Sequence, residues 1–236
     1  MTRGFFIVGT DTEIGKTFTL CALLWLLRQR GFNVAPMKPV AAGAVDMDGL
    51  LMNEDVAALL SVSDDTLSLS DVNPYCFSAP LAPHIAAQFE DTEMDIEVIE
   101  ASFERLAARH EMVLVEGAGG FLVPLSATHS MAEIPERLGL AMILVVGMRL
   151  GCINHALLTV EAIRARGLRL AGWIANSPAN HMNAFAENLA TLKSLIDAPL
   201  LGTIPFIPRN LAPTPLEAAQ RAALHLGDAV EVLRFF

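Results

Sequence analysis

The sequence predicts an α/β fold, a mostly parallel sheet with helices on both faces, and three observations carry that expectation. Short apolar runs alternate along the chain with longer stretches of helical periodicity, the pattern of strand–helix–strand units. The run "MILVV" at residues 142–146 has no polar alternation, so it reads as a strand buried on both faces. Of the 236 residues, 53% are hydrophobic and 18% charged, enough for one large core built mainly from Ala, Leu, Val, Ile and Met. A single domain over residues 1–236 is expected, since no linker, repeat or low-complexity tract interrupts the pattern.

In chain order, "GFFIVG" gives a first strand at residues 4–9, and the apolar stretch "FTLCALLWLL" lies in a helix at 15–30. A second strand is read at 33–38, where Pro36 removes a ladder donor and favours an edge or a bulge. A helix at 53–61 follows, with acids at its start. The Pro-rich "NPYCFSAPLAPH", 73–84, reads as a structured loop over a site. Then come a helix at 93–110, a strand at 112–116, a helix at 130–139 and a strand at 141–147. Helices at 154–167, 183–197 and 214–224 enclose strands at 170–175 and 200–204.

The net charge of −10 argues against nucleic acid as a partner, because phosphate backbones require basic surfaces. An anionic small molecule needs only a local positive pocket, so it stays open. No stretch reads as a membrane span; "LGLAMILVVGM" is too short and is broken by glycine. Cys21, Cys76 and Cys152 are odd in number, widely spaced and without a secretory leader, which predicts free thiols in a reducing cytoplasm.

Chemistry concentrates where strands give way to loops. "GTDTEIGKT", 9–17, ends like a phosphate-binding loop, but Thr10 stands where the first glycine belongs and Gly9 is one residue early. Strand, turn and helix together would offer backbone N–H groups to an anion, with Lys16 reaching outer phosphates and Thr17 facing Mg²⁺. A P-loop nucleotide-binding fold follows from that reading. Asp11, Thr12 and Glu13 add polar groups beyond what a phosphate needs, which points to a second substrate. Only three lysines occur, Lys16, Lys38 and Lys193, and the first two both sit where an early strand gives way to a loop. Lys38, in "MKPVAAG", is either a solvated strand-end lysine or a partner for a developing oxyanion beside the first loop. In "MVLVEGAGG", Glu116 ends an apolar strand and suits Mg²⁺, while Gly117, Gly119 and Gly120 allow close backbone approach. Asp55 by itself reads as the cap of a helix rather than as a ligand. "RLGCINHALLT", 149–159, opens a helix with Asn154 as a possible cap, and its start could take a carboxylate.

Taken together, "GTDTEIGKT", "KPVAAG", "NPYCF", "PHIAA", "VLVEGAGG", "LVVGMRLGCINHALLT", "LAGWIAN" and "APLLGTIP" resemble the dethiobiotin synthetase family across residues 9 to about 205. The glycine-free start of the first loop is that family's version of it. The resemblance implies a homodimeric P-loop ligase binding MgATP, 7,8-diaminononanoate and CO₂, forming a carbamate, phosphorylating it and closing a ring. It further implies Thr17, Asp55 and Glu116 around Mg²⁺, and Lys16, Lys38 and Thr12 at the reacting groups. ATP would be held by Glu13, Ile14, Gly15, Lys16, Thr17, Phe18, Glu116 and Gly119, with Asn176 and Pro205 at the adenine. Gly151, Cys152, Ile153 and Asn154, supplied by the partner subunit, would hold the substrate's carboxylate. Ala42 departs from the family, which commonly has a hydroxyl residue there. "SPANHMNAF", 177–185, matches it poorly, leaving base selectivity open. Two alternatives share the fold: a partitioning or septum-site switch ATPase, which commonly carries a lysine where Asp11 stands, and a corrinoid amidotransferase-like synthetase, which needs a glutaminase domain.

Overall fold

The computed structural model describes residues 3–47, 49–63, 67–227 and 229–234. In chain order the elements begin with β1 (Arg3–Gly9), α1 (Lys16–Gln29), β2 (Val34–Met37), β3 (Val40–Ala42), β4 (Val45–Met47), β5 (Leu50–Met52) and α2 (Glu54–Val62). There follow α3 (Leu69–Val72), β6 (Tyr75–Phe77), α4 (Pro83–Phe89), α5 (Ile96–Ala107), β7 (Met112–Gly120), α6 (Glu133–Leu138) and β8 (Ala141–Gly147). The chain closes with α7 (Cys152–Ala165), β9 (Leu170–Asn176), α8 (Phe185–Leu195), β10 (Leu200–Ile204), α9 (Pro215–Ala223) and α10 (Ala229–Leu233).

Six strands form a parallel sheet in the order β10–β9–β8–β1–β7–β2. They are the six strands read from the apolar runs. Side chains of a strand alternate between faces, and β1 shows it: Phe6 and Val8 join one core, Phe5 and Ile7 the other. The first core packs α5, α6, α7 and α8 against the sheet; the second packs α1, α9 and α10. Helices therefore cover both faces, and every residue of β8 is buried, as "MILVV" predicts.

Pro36 lies in β2, whose only ladder in this sheet is with β7 at the edge, where a missing N–H does least harm. The second strand is accordingly not the neighbour of the first: β7 lies between them. Its end still reaches the first loop, because Lys38 projects across the end of β7. The strand expected at 112–116 runs on through Gly120, since β1 continues to pair with it up to Gly9↔Gly120. The Pro-rich segment, expected as loop, holds β6, paired with β3, and the first residues of the helix α4. The β4–β5 hairpin, α3 and α10 were also not anticipated.

Candidate active site

The carboxyl ends of β1, β2 and β7 converge on a cavity of about 790 Å³, closed on one side by residues 80–83 of the Pro-rich segment. Crevices outside the carboxyl ends of parallel strands are where open α/β sheets hold ligands. The first loop forms one wall. Gly15 caps α1 with φ 85°, a left-handed conformation that glycine adopts without strain. A Cβ at Gly9 would lie 2.8 Å from Lys16 Cδ, so the glycine one place early makes room for the lysine stem. Thr10 has no positive φ and needs no glycine; its hydroxyl instead accepts Gly147 N–H at 3.3 Å. The departure from the general pattern is thus a tie to β8, not damage.

Five side chains meet on the cavity wall. Lys38 Nζ donates to Asp55 Oδ2 at 2.5 Å and to Glu116 Oε1 at 2.8 Å. Thr17 Oγ1 donates to the same Glu116 Oε1 at 2.7 Å. Lys16 Nζ turns back onto the Asp11 carbonyl at 2.9 Å. Lys16 is 7% exposed, Lys38 4% and Glu116 1%. Burial pushes the Lys16 pKa down, with Glu116 opposing part of that loss. Burial also acts against the Lys38 ammonium, but Glu116 and Asp55 outweigh it, so its pKa lies above the ordinary lysine value. The Asp55 carboxyl is held below its usual range by Lys38 and Thr17 against the upward push of burial.

Glu116 Oε2 is buried and faces the cavity region without a protein hydrogen-bond partner, so it has a lone pair free for a cation or a water. Carboxylate and hydroxyl oxygens suit a hard divalent cation that takes its other ligands from phosphate and water. No group of three or more His, Cys, Asp or Glu poised for a metal occurs among the described residues. Glu116, Asp55 and Thr17 nevertheless offer oxygen donors of the kind such a phosphate-shared cation takes.

Asp55 is not the cap of α2. Asn53 is, accepting Asp55 N–H at 2.9 Å, while its Nδ2 donates to the Ala42 carbonyl at 2.8 Å. One buried amide so fixes both the acid and the strand that carries Ala42. Asn73 does the same for Lys38, donating to its carbonyl at 2.7 Å. Neither asparagine was singled out from the sequence, although Asn before Glu-Asp is a helix-start signal. Ala42 lines the cavity with a methyl group where a hydroxyl was expected.

Thr12, Glu13, Gly15, Lys16, Thr17, Phe18, Lys38, Asp55, Glu116 and Gly119 all line this cavity. Ile14 points into the core, where it packs against Gly147, and only its backbone is available to a ligand. Over the loop lies a second groove of about 520 Å³ that shares Glu13, Gly15 and Phe18 with the first. Asn176 lines it with Phe206 and Arg209, and its Nδ2 donates to the Ile14 carbonyl at 2.7 Å. Pro205 immediately precedes the groove-lining Phe206. Gly151, Cys152, Ile153 and Asn154 line neither cavity. Gly151, with φ 93°, caps α7 in place of the expected Asn154, and Cys152 N–H already donates to the Arg149 carbonyl at 3.0 Å.

A family model described as "AAA domain" matches residues 3–214. The chain is 55% identical to an ATP-dependent dethiobiotin synthetase BioD of Aromatoleum aromaticum, over 87% of this chain and 91% of that protein. A protein of the same name from Nitrosospira multiformis is 47% identical over 87% and 89%. Among solved structures, the MinD cell division protein of Aquifex aeolicus aligns with TM-score 0.59 at 14% identity, over 100% of this chain and 98% of its own. A ParA family ATPase of Chlorobium tepidum aligns at 0.56 and 15%, over 96% and 100%. At such identities these two show a shared fold alone.

Proposed function

The chain belongs to the ATP-dependent dethiobiotin synthetase family, and from that premise we propose that it carboxylates and cyclises 7,8-diaminononanoate with CO₂ at the expense of ATP. It is an ATP-dependent ligase on a P-loop fold. The observation that carries the specific reading is the pairing of two buried lysines, Lys16 and Lys38, in one cavity with a second groove leading away over the loop. A triphosphate and a carbamate are both anions, and bringing them together requires concentrated positive charge in a site sheltered from water.

In the proposed reaction one substrate amine attacks CO₂, loses a proton and becomes a carbamate. A carbamate oxygen attacks the γ-phosphorus, and ADP leaves. The neighbouring amine then attacks the carbonyl carbon of the mixed anhydride, phosphate departs, and the ureido ring closes. Lys16 steadies the phosphates, Lys38 faces the carbamate and the transferring phosphoryl group, and Thr12 contacts the reacting end. Thr17, Asp55 and Glu116 would hold Mg²⁺, which neutralises phosphate charge when bound. Glu13, Ile14, Gly15, Phe18 and Gly119 would follow the nucleotide across the loop, with the adenine near Asn176 and Pro205. The substrate's carboxylate would rest on Gly151 to Asn154 of a partner subunit, making the enzyme a homodimer with its site at the interface. Their position outside the two cavities described above supports that arrangement.

The test is ADP release from MgATP and 7,8-diaminononanoate in CO₂-depleted buffer, with and without added bicarbonate. Release that requires both diamine and bicarbonate is the expected result. Release indifferent to both would leave a P-loop ATPase but remove the carboxylation.

A further inference from the structure

Asp11 makes three bonds that together set the course of the phosphate loop. Its Oδ1 accepts Thr12 N–H at 2.8 Å, its carbonyl accepts Lys16 Nζ at 2.9 Å, and its Oδ2 accepts from Arg149 Nη2. Arg149 arrives from the segment between β8 and α7, 138 residues further along the chain. Backbone contacts already tie that region to the loop, with Thr10 N–H donating to the Val145 carbonyl at 3.1 Å. The guanidinium carries the tie one residue further, to the peptide that turns toward Lys16. The Asp11 carboxyl is held below its usual range, first by the Thr12 N–H and then by the charge of Arg149 against burial.

Neither Asp11 nor Arg149 lines the cavity or the groove, so neither is arranged to touch a ligand there. Both side chains are close to half exposed, 41% and 48%. A pair so placed adds little to folding. It can still decide where a loop sits, because one cationic donor ties Asp11 to a segment 138 residues further along the chain.

We propose that Arg149 is a positioning residue: through Asp11 it holds the peptide whose carbonyl steadies the Lys16 ammonium, and so aims that ammonium at the phosphates. The consequence for turnover rests on the synthetase reaction proposed above; the consequence for nucleotide affinity does not.

The experiment uses Arg149→Ala, Arg149→Lys, Asp11→Ala and the double variant Asp11→Ala/Arg149→Ala. For each it measures kcat, KM for the diamine, ADP affinity by calorimetry without diamine, and the thermal midpoint. Arg149→Ala should lower kcat about 10- to 100-fold, the scale on which a misplaced catalytic group costs rate. ADP affinity should fall with it, while the diamine KM and the thermal midpoint stay near wild type. Arg149→Lys should recover most of both losses. In the Asp11→Ala background, adding Arg149→Ala should change nothing further, because the two residues act as one unit. Wild-type kcat and ADP affinity in Arg149→Ala would overturn the proposal. An equal further loss from Arg149→Ala in the Asp11→Ala background would overturn it too, because Arg149 would then act directly. If the wild-type enzyme formed no dethiobiotin, the reaction reading would fall. The calorimetric arm would still decide the positioning role, with unchanged ADP affinity refuting it.

Discussion

Lys38 answers to two acids, one of which, Glu116, has almost no contact with water. Replacing Lys38 by Ala would leave Glu116 in the interior with a hydroxyl for company, and breaking a buried pair costs about 3–5 kcal/mol. For a chain of this size that corresponds to a fall in thermal midpoint of roughly 6–20 °C, with the fold retained. Turnover should fall about 10²- to 10³-fold, as for loss of an oxyanion-stabilising donor. Added Mg²⁺ should raise the midpoint of Lys38→Ala more than that of wild type, because a second cation can take the vacated carboxylates. Thermal melts with and without MgCl₂ check this, and wild-type turnover would take Lys38 out of the mechanism. At this scale the sequence was legible for Lys38 and Glu116, which stand where an apolar run stops, and for Lys16 and Thr17, which open a helix after the loop that follows one. Asp55 by itself read as a helix cap; only the family resemblance set it among the metal ligands, and Lys38 lies beside it. Arg149 was illegible, since its partner lies 138 residues away and no periodicity encodes the pair.

The six strands of the central sheet were readable because burial on both faces writes them as apolar runs. The elements that were missed are three to seven residues long, too short for a period to register, and they are held by their neighbours instead: β3 by β6, β4 by β5. The Pro-rich segment illustrates the point, since Pro83 opens α4 at a first-turn position where a missing N–H is harmless. The loop reading was right about where the segment lies, over the cavity, and wrong about its regularity. The extension of β7 through Gly120 was hidden because glycine usually signals a turn; pairing with β1 overrides that preference. Asn53 joins two such elements, capping α2 and pinning β3. Asn53→Ala should therefore cost about 1–2 kcal/mol, the usual worth of a lost cap, read as a shift in denaturant midpoint. It should also lower turnover by releasing Asp55. Asn53→Asp keeps the capping oxygen but sets a carboxylate oxygen against the Ala42 carbonyl, so it should recover only part of the stability.

For the molecule as a whole, both faces of the sheet are covered by helices, while the start of α7 stands apart from the chain's own cavities. Leu150, beside it, is 98% exposed, and Leu158 on α7 is more than half exposed. If a second subunit covers this end and draws its substrate carboxylate site from it, Leu150→Lys should lower the mass seen by light scattering at micromolar concentration. It should also raise the diamine KM. Full activity in a strictly monomeric enzyme would refute the shared site. No helix among the described residues is long and apolar enough to cross a membrane. The overall layout was foreseeable from alternating apolar and helical stretches, whereas the strand order, with β7 between β1 and β2, was not. That order is what lets Lys38 and Thr17 meet on Glu116 from opposite sides. The claim that this meeting point joins carbamate to γ-phosphate is tested most directly with CO₂ labelled with heavy oxygen. Attack by a carbamate oxygen predicts that the phosphate released in single turnover carries one labelled oxygen from CO₂. Unlabelled phosphate, formed along with ADP, would mean that water attacks the γ-phosphorus and would contradict the account.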